Sequence, residues 1–437
     1  MGSSTTGPRR RRGLPLLFVT LPLLVLTFVA PPAPAAEMTL SSRTYLLYYE
    51  REAAGGTKDR FAPFYEYLSG DARSLGGTPV SFHFSGWGRQ DLADDSGSGN
   101  RSGDLGSAYL QYLHPTGNAE ARLGRFFLTE GAAFEIMDGL FVKVRTAPGL
   151  GISAFGGVPV ERTITATGTG DSIYGGRVFF ARAGFAELGA SYLFEKGEFQ
   201  GKDRKEIGGD LWVRPFGPVE LIGRATYNES TRALADQRYV VRVIPAAPLD
   251  VSVGYEAYRY KDYFQTALNP AFLAPALDNS DRVRVVFAIV DWNVVGNLTL
   301  EAAAKDIRHD LADPGDARRG ELGIRYAFND HKDVVGVSGA LVTADRKENE
   351  YREVRGFGSW SPGRFRFSLD LLGRRFKEAI NGGKSEYMAV GSAGARLLSY
   401  LRLSGDLTYT QSPQFKNDTA GIIRASLDLG TGTGGDE

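Results

Sequence analysis

The sequence contains no cysteine. This absence excludes disulfide bonds, thiolate metal sites, a cysteine-linked lipid anchor and covalent haem attachment on this chain. We therefore expect no cofactor, and any redox chemistry would have to come from a partner. Histidine is also scarce, with four residues, and no Gly-x-Ser-x-Gly sequence marks a hydrolase nucleophile. The sequence does not predict an enzyme. The alternative is a barrel hydrolase whose histidine and serine meet only in space, which sequence spacing does not exclude.

An excess of either charge is also missing, because 51 basic residues balance 51 acidic ones. This balance argues against nucleic acid as the main partner. Long apolar runs are missing beyond residue 36. The most apolar run, from Val283 to Val295, is interrupted by Arg284 and Asp291. No segment there predicts a transmembrane helix.

The N-terminus has the order of a secretory signal peptide. A basic cluster, Arg9 to Arg12, precedes an apolar stretch from Leu14 to Val29 and then Ala33-Pro34-Ala35-Ala36. We predict that residues 1–36 are a signal peptide, cleaved after Ala35 or Ala36, and that the chain is exported. The alternative is an uncleaved anchor, but the apolar stretch is shorter than the roughly 20 residues that span a bilayer.

Apolar and polar residues alternate with a period of two along nearly the whole remaining chain. Between Phe185 and Glu195, for example, Leu188 and Tyr192 alternate with Glu187 and Ser191. Similar runs cover residues 219–228, 249–257, 298–305, 364–371 and 401–409. Each run has about ten residues, the length of a tilted transmembrane β-strand.

Short turn signals separate pairs of these runs, and longer polar segments lie between the pairs. The longer segments are Arg89 to Gly103, Arg162 to Ser172, Lys261 to Ser280 and His309 to Arg318. Short turns at one rim and long loops at the other are typical of outer-membrane barrels. The short turns are predicted at Gly76-Gly77, His114 to Asn118, Pro148-Gly149, Ala183-Gly184, Pro215 to Pro218, Pro245 to Pro248, Asn293 to Asn297, Asn329 to Lys332, Ser361 to Gly363 and Leu397 to Ser399.

The pattern predicts an all-β chain that forms a transmembrane, antiparallel, up-and-down β-barrel. Counting the turns predicts about 22 strands, with 20 as the fallback. The barrel spans residues 37–429, with a first strand from Arg43 to Arg51 and a last strand from Ala420 to Leu429. Residues 430–437 form a C-terminal tail.

Aromatic residues cluster near both predicted rims, which is typical of interfacial girdles. The alternative is that they reflect the β-propensity of aromatic residues alone. Beside the short turns lie Phe216, Trp292, Phe328, Trp360 and Tyr400, and toward the long loops lie Tyr227, Tyr255 and Tyr409.

Signal peptide, hairpins, apolar outer face and girdles together resemble the porin-type outer-membrane β-barrels of Gram-negative bacteria. The resemblance implies an outer-membrane location, with lipid as the surroundings. The stretch Leu123 to Phe126, with Glu130-Gly131 and Asp138-Gly139, is similar to the strand, inward loop and Asp-Gly turn of some solute-specific porins. Such barrels usually end on an aromatic residue, whereas here Leu429 is followed by a tail from Gly430 to Glu437.

Ionisable residues on the strands are expected to face the lumen, because they are costly against lipid. Their mixed signs predict no strong selection for anions or cations. The alternative is that many pair across neighbouring strands and stiffen the wall. By alternation we assign to the lumen Arg122, Lys143, Arg145, Glu187, Asp210, Arg214, Glu220, Arg224, Arg242, Glu256, Arg284, Glu301, Arg325, Arg366, Asp370, Arg402, Asp406 and Arg424.

Two other motifs have simpler explanations. The stretch Gly149 to Ala154 imitates a dinucleotide-binding fingerprint, but no helix pattern follows it, so we interpret it as a turn. An acidic loop could hold a divalent cation, but a solvated loop is the simpler interpretation and we predict no metal site. The loop contains Asp91, Asp94, Asp95 and Asp104.

Two hypotheses for function follow. The first and preferred one is a porin-like channel in which Glu130 to Met137 folds inward beside Arg122 and Arg145, with Asp138 nearby, to narrow the lumen. The second is a sleeve whose lumen houses a periplasmic multihaem cytochrome, since the sequence contains no separate plug domain. This arrangement resembles the barrel component of porin-cytochrome conduits. Neither the channel hypothesis nor the sleeve hypothesis requires catalytic residues.

Overall fold

The computed structural model describes residues 37–52, 58–93, 101–162, 167–169, 172–199, 202–260, 281–311, 315–414 and 417–430. The predicted signal peptide, the tail beyond Gly430 and several long loops lie outside these residues. No helix in the described ranges is long and apolar enough to cross a membrane. Short 3₁₀ turns occur at Leu75–Gly77 and Lys347–Asn349.

Almost all described residues belong to β-strands. In chain order these are β1 Glu37–Glu52, β2 Lys58–Phe61, β3 Pro63–Arg73, β4 Val80–Asp91, β5 Arg101–Leu113, β6 Ala119–Glu130, β7 Ala133–Arg145, β8 Leu150–Arg162, β9 Thr167–Thr169, β10 Ser172–Arg182, β11 Ala186–Phe199, β12 Lys202–Phe216, β13 Val219–Asn228, β14 Ala233–Ala246, β15 Leu249–Arg259, β16 Arg282–Val295, β17 Leu298–His309, β18 Ala317–Phe328, β19 Asp333–Ala344, β20 Tyr351–Trp360, β21 Phe365–Ile380, β22 Gly383–Leu398, β23 Leu401–Gln411 and β24 Asn417–Gly430.

The strands form one closed antiparallel wall. Segments β2 and β3 both pair with β1 and are successive parts of one strand, and β9 and β10 are related in the same way through β8. The wall therefore has 22 strands, as predicted. It closes where β1 pairs with β24 from Thr39 opposite Gly430 to Tyr49 opposite Ala420. Closure leaves the first and last strands without free edges.

The predicted short turns all lie at one rim, where they connect alternate pairs of strands. Glycine supplies the left-handed backbone at several of them, for example Gly184 with φ +72° and Gly363 with φ +60°. The other ends of the strands, such as Asp91 on β4 and Arg101 on β5, lie at the opposite rim. Local turn chemistry thus determines which strands become neighbours.

The two faces of the wall differ as the alternation predicts. Cross-strand pairing places apolar side chains opposite one another around the barrel, for example Leu123 opposite Leu140 and Ile152 opposite Val178. These residues point outward and are widely exposed, with Leu123 at 59% and Val178 at 56%. The intervening residues point into the lumen and carry most of the ion pairs.

Candidate functional site

One hairpin departs from the wall. Strands β6 and β7 pair with each other along their whole length, from Ala119 to the Glu130–Ala133 turn. The ladder between β6 and β5 stops at Arg125, and that between β7 and β8 stops at Met137. Residues 126–136, which we name the inner hairpin, therefore have no neighbouring wall strand.

The inner hairpin folds into the lumen. The backbone N–H of Ala132 donates a hydrogen bond to the Ser191 Oγ at 2.9 Å. A guanidinium nitrogen of Arg204 donates to the Glu135 carboxylate at 2.8 Å. Ser191 on β11 and Arg204 on β12 lie on the lumenal face, because Leu188 and Leu211 point outward from the same two strands. The hairpin tip is thus fastened to the inner wall three strands away from β7.

Glycine makes this close approach sterically feasible. Gly131 at the tip has φ +61°, and a Cβ atom there would lie 2.2 Å from the Ser191 Cβ. A Cβ atom at Gly208 would lie 3.0 Å from the Ala132 Cβ. Side chains at either position would separate the tip from the wall.

A second pair of glycines marks the place where the hairpin leaves the wall. Gly124 and Gly139 lie opposite each other in the β6–β7 ladder. Gly124 has φ +125°, and a Cβ atom there would lie 2.3 Å from the backbone oxygen of Ala108. A Cβ atom at Gly139 would lie 2.3 Å from the backbone oxygen of Gly156. The backbone can bend here because neither position carries a side chain.

An apolar cluster beneath the hairpin holds it against the inner wall. Each large side chain that it buries stabilises the docked position by about 1.5–3 kcal/mol, offset in part by lost conformational freedom. The buried members are Phe126, Leu128, Ala133, Met137, Phe141, Phe155, Ile173 and Leu193.

Two buried arginines anchor the acidic side of the hairpin. Arg177, whose side chain is 6% exposed, contacts Glu130 at 3.4 Å and Glu187 at 3.0 Å, and its Nε donates to Asp210 at 3.1 Å. The Lys143 ammonium also pairs with Glu130, at 3.1 Å. These contacts join the hairpin to β10, β11 and β12.

Arg204 forms the second anchor. Besides Glu135, it pairs with Glu206 at 2.8 Å and with Glu195 at 3.3 Å. Glu135 lies in the inner hairpin and not in a membrane-spanning part of the wall. Burial raises the pKa of Glu135 to about 7, against the opposing effect of the Arg204 charge. Protonation of this carboxyl is therefore coupled to the docked position of the hairpin.

A half-open cavity of ≈ 750 Å³ lies between the hairpin and the inner wall. Six carboxylates and four cationic groups line it. The charge excess is therefore acidic, in contrast to the neutral chain as a whole. The groups are Glu130, Glu135, Glu187, Glu206, Asp210 and Asp236, with Lys143, Arg177, Arg204 and Arg224.

The structure brings only part of the predicted set together. Glu130, Lys143 and Asp210 meet at the hairpin through Arg177. Arg122 instead pairs with Glu120 at 2.6 Å, and the hairpin docks beside Arg177 and Arg204, not beside Arg122 and Arg145. Arg224 lies opposite Asp210 and lines the same cavity as Arg177. On the lumenal face, away from the Arg177 contacts, the pairing registers place Arg122, Arg145, Arg214, Arg366 and Asp370.

Two predicted lumenal residues lie on the other face of their strands. Asp138 shares its face with Leu140 and pairs with Arg125 at 2.8 Å, where the hairpin leaves the wall. Arg284 shares its face with Val286, which is 50% exposed, and pairs with Asp310 at the long-loop rim. Strand β16 is apolar on both faces, since Phe287 is buried on the lumenal side, and its alternation was therefore ambiguous.

Sequence reasoning missed Arg177, Ser191 and Arg204. Arg177 lies between Gly175 and Phe179 on the lumenal face of β10, where apolar side chains on both faces obscure the alternation. The contact between Ser191 and Ala132 joins residues 59 positions apart. The glycines at the tip and at the bend were the available signal.

Four aromatic side chains form a second lumenal feature, which we name the aromatic strip: Tyr45, Tyr65, Tyr67 and Trp87 on β1, β3 and β4. The Tyr45 and Tyr67 rings lie 5.6 Å apart edge to face, and Tyr67 lies 6.5 Å from Trp87. Tyr45 is opposite Arg424 in the β1–β24 ladder, which places the strip on the lumenal side. Tyr67 is 43% exposed, so the strip presents apolar surface to the lumen.

The outer face of the wall exposes large apolar side chains. Leu322 is 71% exposed, Leu407 60% and Val354 60%, in a band that runs around a closed wall. Apolar surface of this extent is stable only against acyl chains. The chain is a transmembrane β-barrel.

No protein-family model and no curated protein matches the sequence. Among solved structures, the barrel is similar to the translocation pore of the P pilus usher PapC, at 10% identity and TM-score 0.48, covering 90% of this chain and 99% of that one. It is also similar to Pseudomonas aeruginosa OccK8, at 10% identity and TM-score 0.40, covering 92% and 100%. Acinetobacter baumannii OccAB1 matches at 8% identity and TM-score 0.42, covering 92% and 99%.

Proposed function

We propose that the barrel is a porin-like channel for small solutes, narrowed by the inner hairpin. The observation that carries this proposal is the hydrogen bond of the Ala132 N–H to the lumenal Ser191. It holds the hairpin tip inside the lumen, against the wall at β11. Barrels of about 22 strands enclose a wide interior, so an inward segment is what would make such a channel selective.

The charge at the constriction determines whether the channel favours cations or anions. The acidic excess around the cavity lowers the energy of a cation there and raises that of an anion. The arginine anchors reduce this effect, because they neutralise most of the carboxylates. We therefore expect a modest preference for small cations, lost at high salt through screening.

The test is electrical recording of the purified mature barrel in planar bilayers. We expect discrete conductance steps and a reversal potential of the cation-selective sign. A variant in which residues 126–136 are replaced by a short Gly-Ser link should conduct more and select less. Absence of conductance steps from correctly folded barrel would overturn the proposal.

A second candidate is a sleeve around a protein partner, such as a periplasmic multihaem cytochrome. The aromatic strip favours this alternative, because apolar surface inside a water-filled lumen is suited to being covered by another protein. Purification from the native membrane, followed by haem staining, tests it. A stoichiometric haem protein that accompanies wild-type barrel would support the sleeve. Barrel recovered alone from that membrane would exclude it.

A further inference from the structure

Strands β3 and β4 bring a serine, a histidine and an aspartate into line on the lumenal wall. The Ser81 Oγ lies 2.8 Å from the His83 Nε2, and the His83 Nδ1 pairs with the Asp71 carboxylate. Ser81 and His83 are two residues apart on one strand, so their side chains share a face. Asp71 is directly opposite His83 in the β3–β4 ladder.

These contacts determine the protonation pattern of the histidine. Because the Asp71 carboxylate can only accept a hydrogen bond, the His83 Nδ1 carries the proton that it donates. The Nε2 is then free to accept the proton of the Ser81 hydroxyl. The Thr39 Oγ1 donates to the other Asp71 oxygen at 3.3 Å, and this contact holds the carboxylate in place. Nucleophile, base and orienting carboxylate thus have the geometry of an activated serine.

The surroundings hold the imidazole in position. The Tyr109 ring stacks on the His83 ring at 4.8 Å with an interplanar angle of 19°. The His83 side chain is 17% exposed and the Asp71 side chain 37%. The group therefore lies on the lumenal face with the imidazole largely covered and the Asp71 carboxylate partly exposed. It lies near the short-turn rim, because residues 74–79 connect β3 to β4.

A polar donor lies beside the serine. Gln111 is directly opposite Ser81 in the β4–β5 ladder, and its Nε2 donates one N–H to Glu120 at 2.7 Å. A side-chain amide has two such hydrogens, so the second can donate to an oxygen bound near Ser81. Such a donor is what an oxyanion requires.

We propose that Ser81, His83 and Asp71 form a lumenal esterase site that acts on small carboxylic esters. The Ser81 Oγ bonds to the ester carbonyl carbon while its proton passes to the His83 Nε2. The bond to the alcohol oxygen then breaks, and that oxygen takes the proton. A water oxygen next bonds to the carbonyl carbon of the acyl-serine while one of its protons passes to the His83 Nε2. The bond between that carbon and the Ser81 Oγ then breaks, which releases the acid, and the Oγ takes the proton back from the Nε2. The overall reaction converts ester and water to acid and alcohol.

The test uses the whole mature barrel in detergent and a fluorophosphonate probe, which bonds covalently to activated serines with loss of fluoride. We expect labelling at Ser81, identified by mass spectrometry, and hydrolysis of p-nitrophenyl butyrate. Ser81→Ala should abolish both. His83→Gln should slow labelling by about 100-fold or more, the contribution of a general base.

Ser85 supplies the matched control. It lies on the same face of β4, and its Oγ contacts the Ser107 Oγ at 2.8 Å. Ser85→Ala should label and hydrolyse like wild type. Folding of every variant is checked by the gel mobility of the unheated barrel. Wild-type labelling no faster than that of folded Ser81→Ala would overturn the proposal and show three polar groups that merely satisfy one another. Channel conductance is measured separately, because it does not depend on this site.

Discussion

The backbone N–H of Ala132 donates a hydrogen bond to the Ser191 Oγ at 2.9 Å, although the strands beside Ala132 share no ladder with the strand that carries Ser191. This single relationship turns a wall hairpin into an element inside the lumen. The bend glycines, the apolar cluster and the two arginine anchors all support it. Most of the consequences that can be measured concern how firmly the hairpin stays docked.

Gly131→Val should undock the hairpin. The residue has φ +61° and no room for a Cβ beside Ser191, and backbone strain of this kind costs about 1–3 kcal/mol. We expect larger single-channel conductance with more open-channel noise. Gly76→Val is the matched control, because Gly76 has φ +59° with nothing within 4 Å of a Cβ. Equal conductance of the two variants would contradict the docking role of Gly131.

Arg177→Met should increase cation selectivity. It removes the cation shared by Glu130, Glu187 and Asp210, so the acidic excess at the constriction grows. We expect the reversal potential in a salt gradient to move further in the cation-selective direction. Arg366→Met removes the same charge from the lumenal face of β21, away from the hairpin. This variant should shift the reversal potential less. A larger shift in the Arg366 variant would place the selective region elsewhere.

Acid should favour the docked hairpin. The docked Glu135 has a pKa of about 7, raised from 4.5 by burial, whereas in an undocked hairpin it returns toward the lower value. At a pH between about 4.5 and 7, docking is therefore accompanied by the uptake of a proton on Glu135. The resulting stability is complete below about 4.5 and is lost as the pH rises past about 7.

Conductance should accordingly be lower at pH 5 than at pH 8. The groups that face Glu135 are Arg204, Glu195 and Glu206. Glu135→Gln keeps the side chain neutral, so its conductance should stay low and lose its pH dependence across this range. Glu256→Gln, on the lumenal face of β15, should retain the wild-type pH dependence. A pH dependence that survives unchanged in Glu135→Gln would exclude this carboxyl as the origin.

A disulfide should lock the hairpin in place. The chain has no cysteine of its own, so Ala132→Cys with Gly208→Cys creates a single pair. A Cβ at Gly208 would lie 3.0 Å from the Ala132 Cβ, and disulfides span about 3.5–4.5 Å between Cβ atoms. The tip must therefore move slightly away from the wall, and the Ser191 hydroxyl must rotate away from the new bond.

The oxidised double variant should show quiet, low conductance at both pH 5 and pH 8. Reduction should restore the pH response. Each single-cysteine variant serves as control, since it carries one new side chain without the bond. An oxidised double variant that still responds to pH like wild type would show that the hairpin does not gate the lumen.

The strand count and the short-turn rim could be predicted because both depend on neighbouring residues. Alternation determines which side chains share a face, and glycine and proline determine where the chain reverses. The prediction for Arg284 differed from the structure where that local signal vanished, since β16 is apolar on both faces. The inward direction of Glu130 to Met137 was suggested by resemblance. The residues expected beside it were Arg122 and Arg145, whereas the structure has Arg177 and Arg204 there.

The sequence by itself determined a closed wall of 22 antiparallel strands with an apolar exterior, because that outcome follows from period-two alternation and turn residues. Only the tertiary structure decided that Glu130 meets Arg177, 47 residues away, and that His83 meets Asp71 across two strands. Such meetings depend on strand register, on barrel curvature and on the bend at Gly124 and Gly139. These are properties of the assembled wall and are not contained in any one segment.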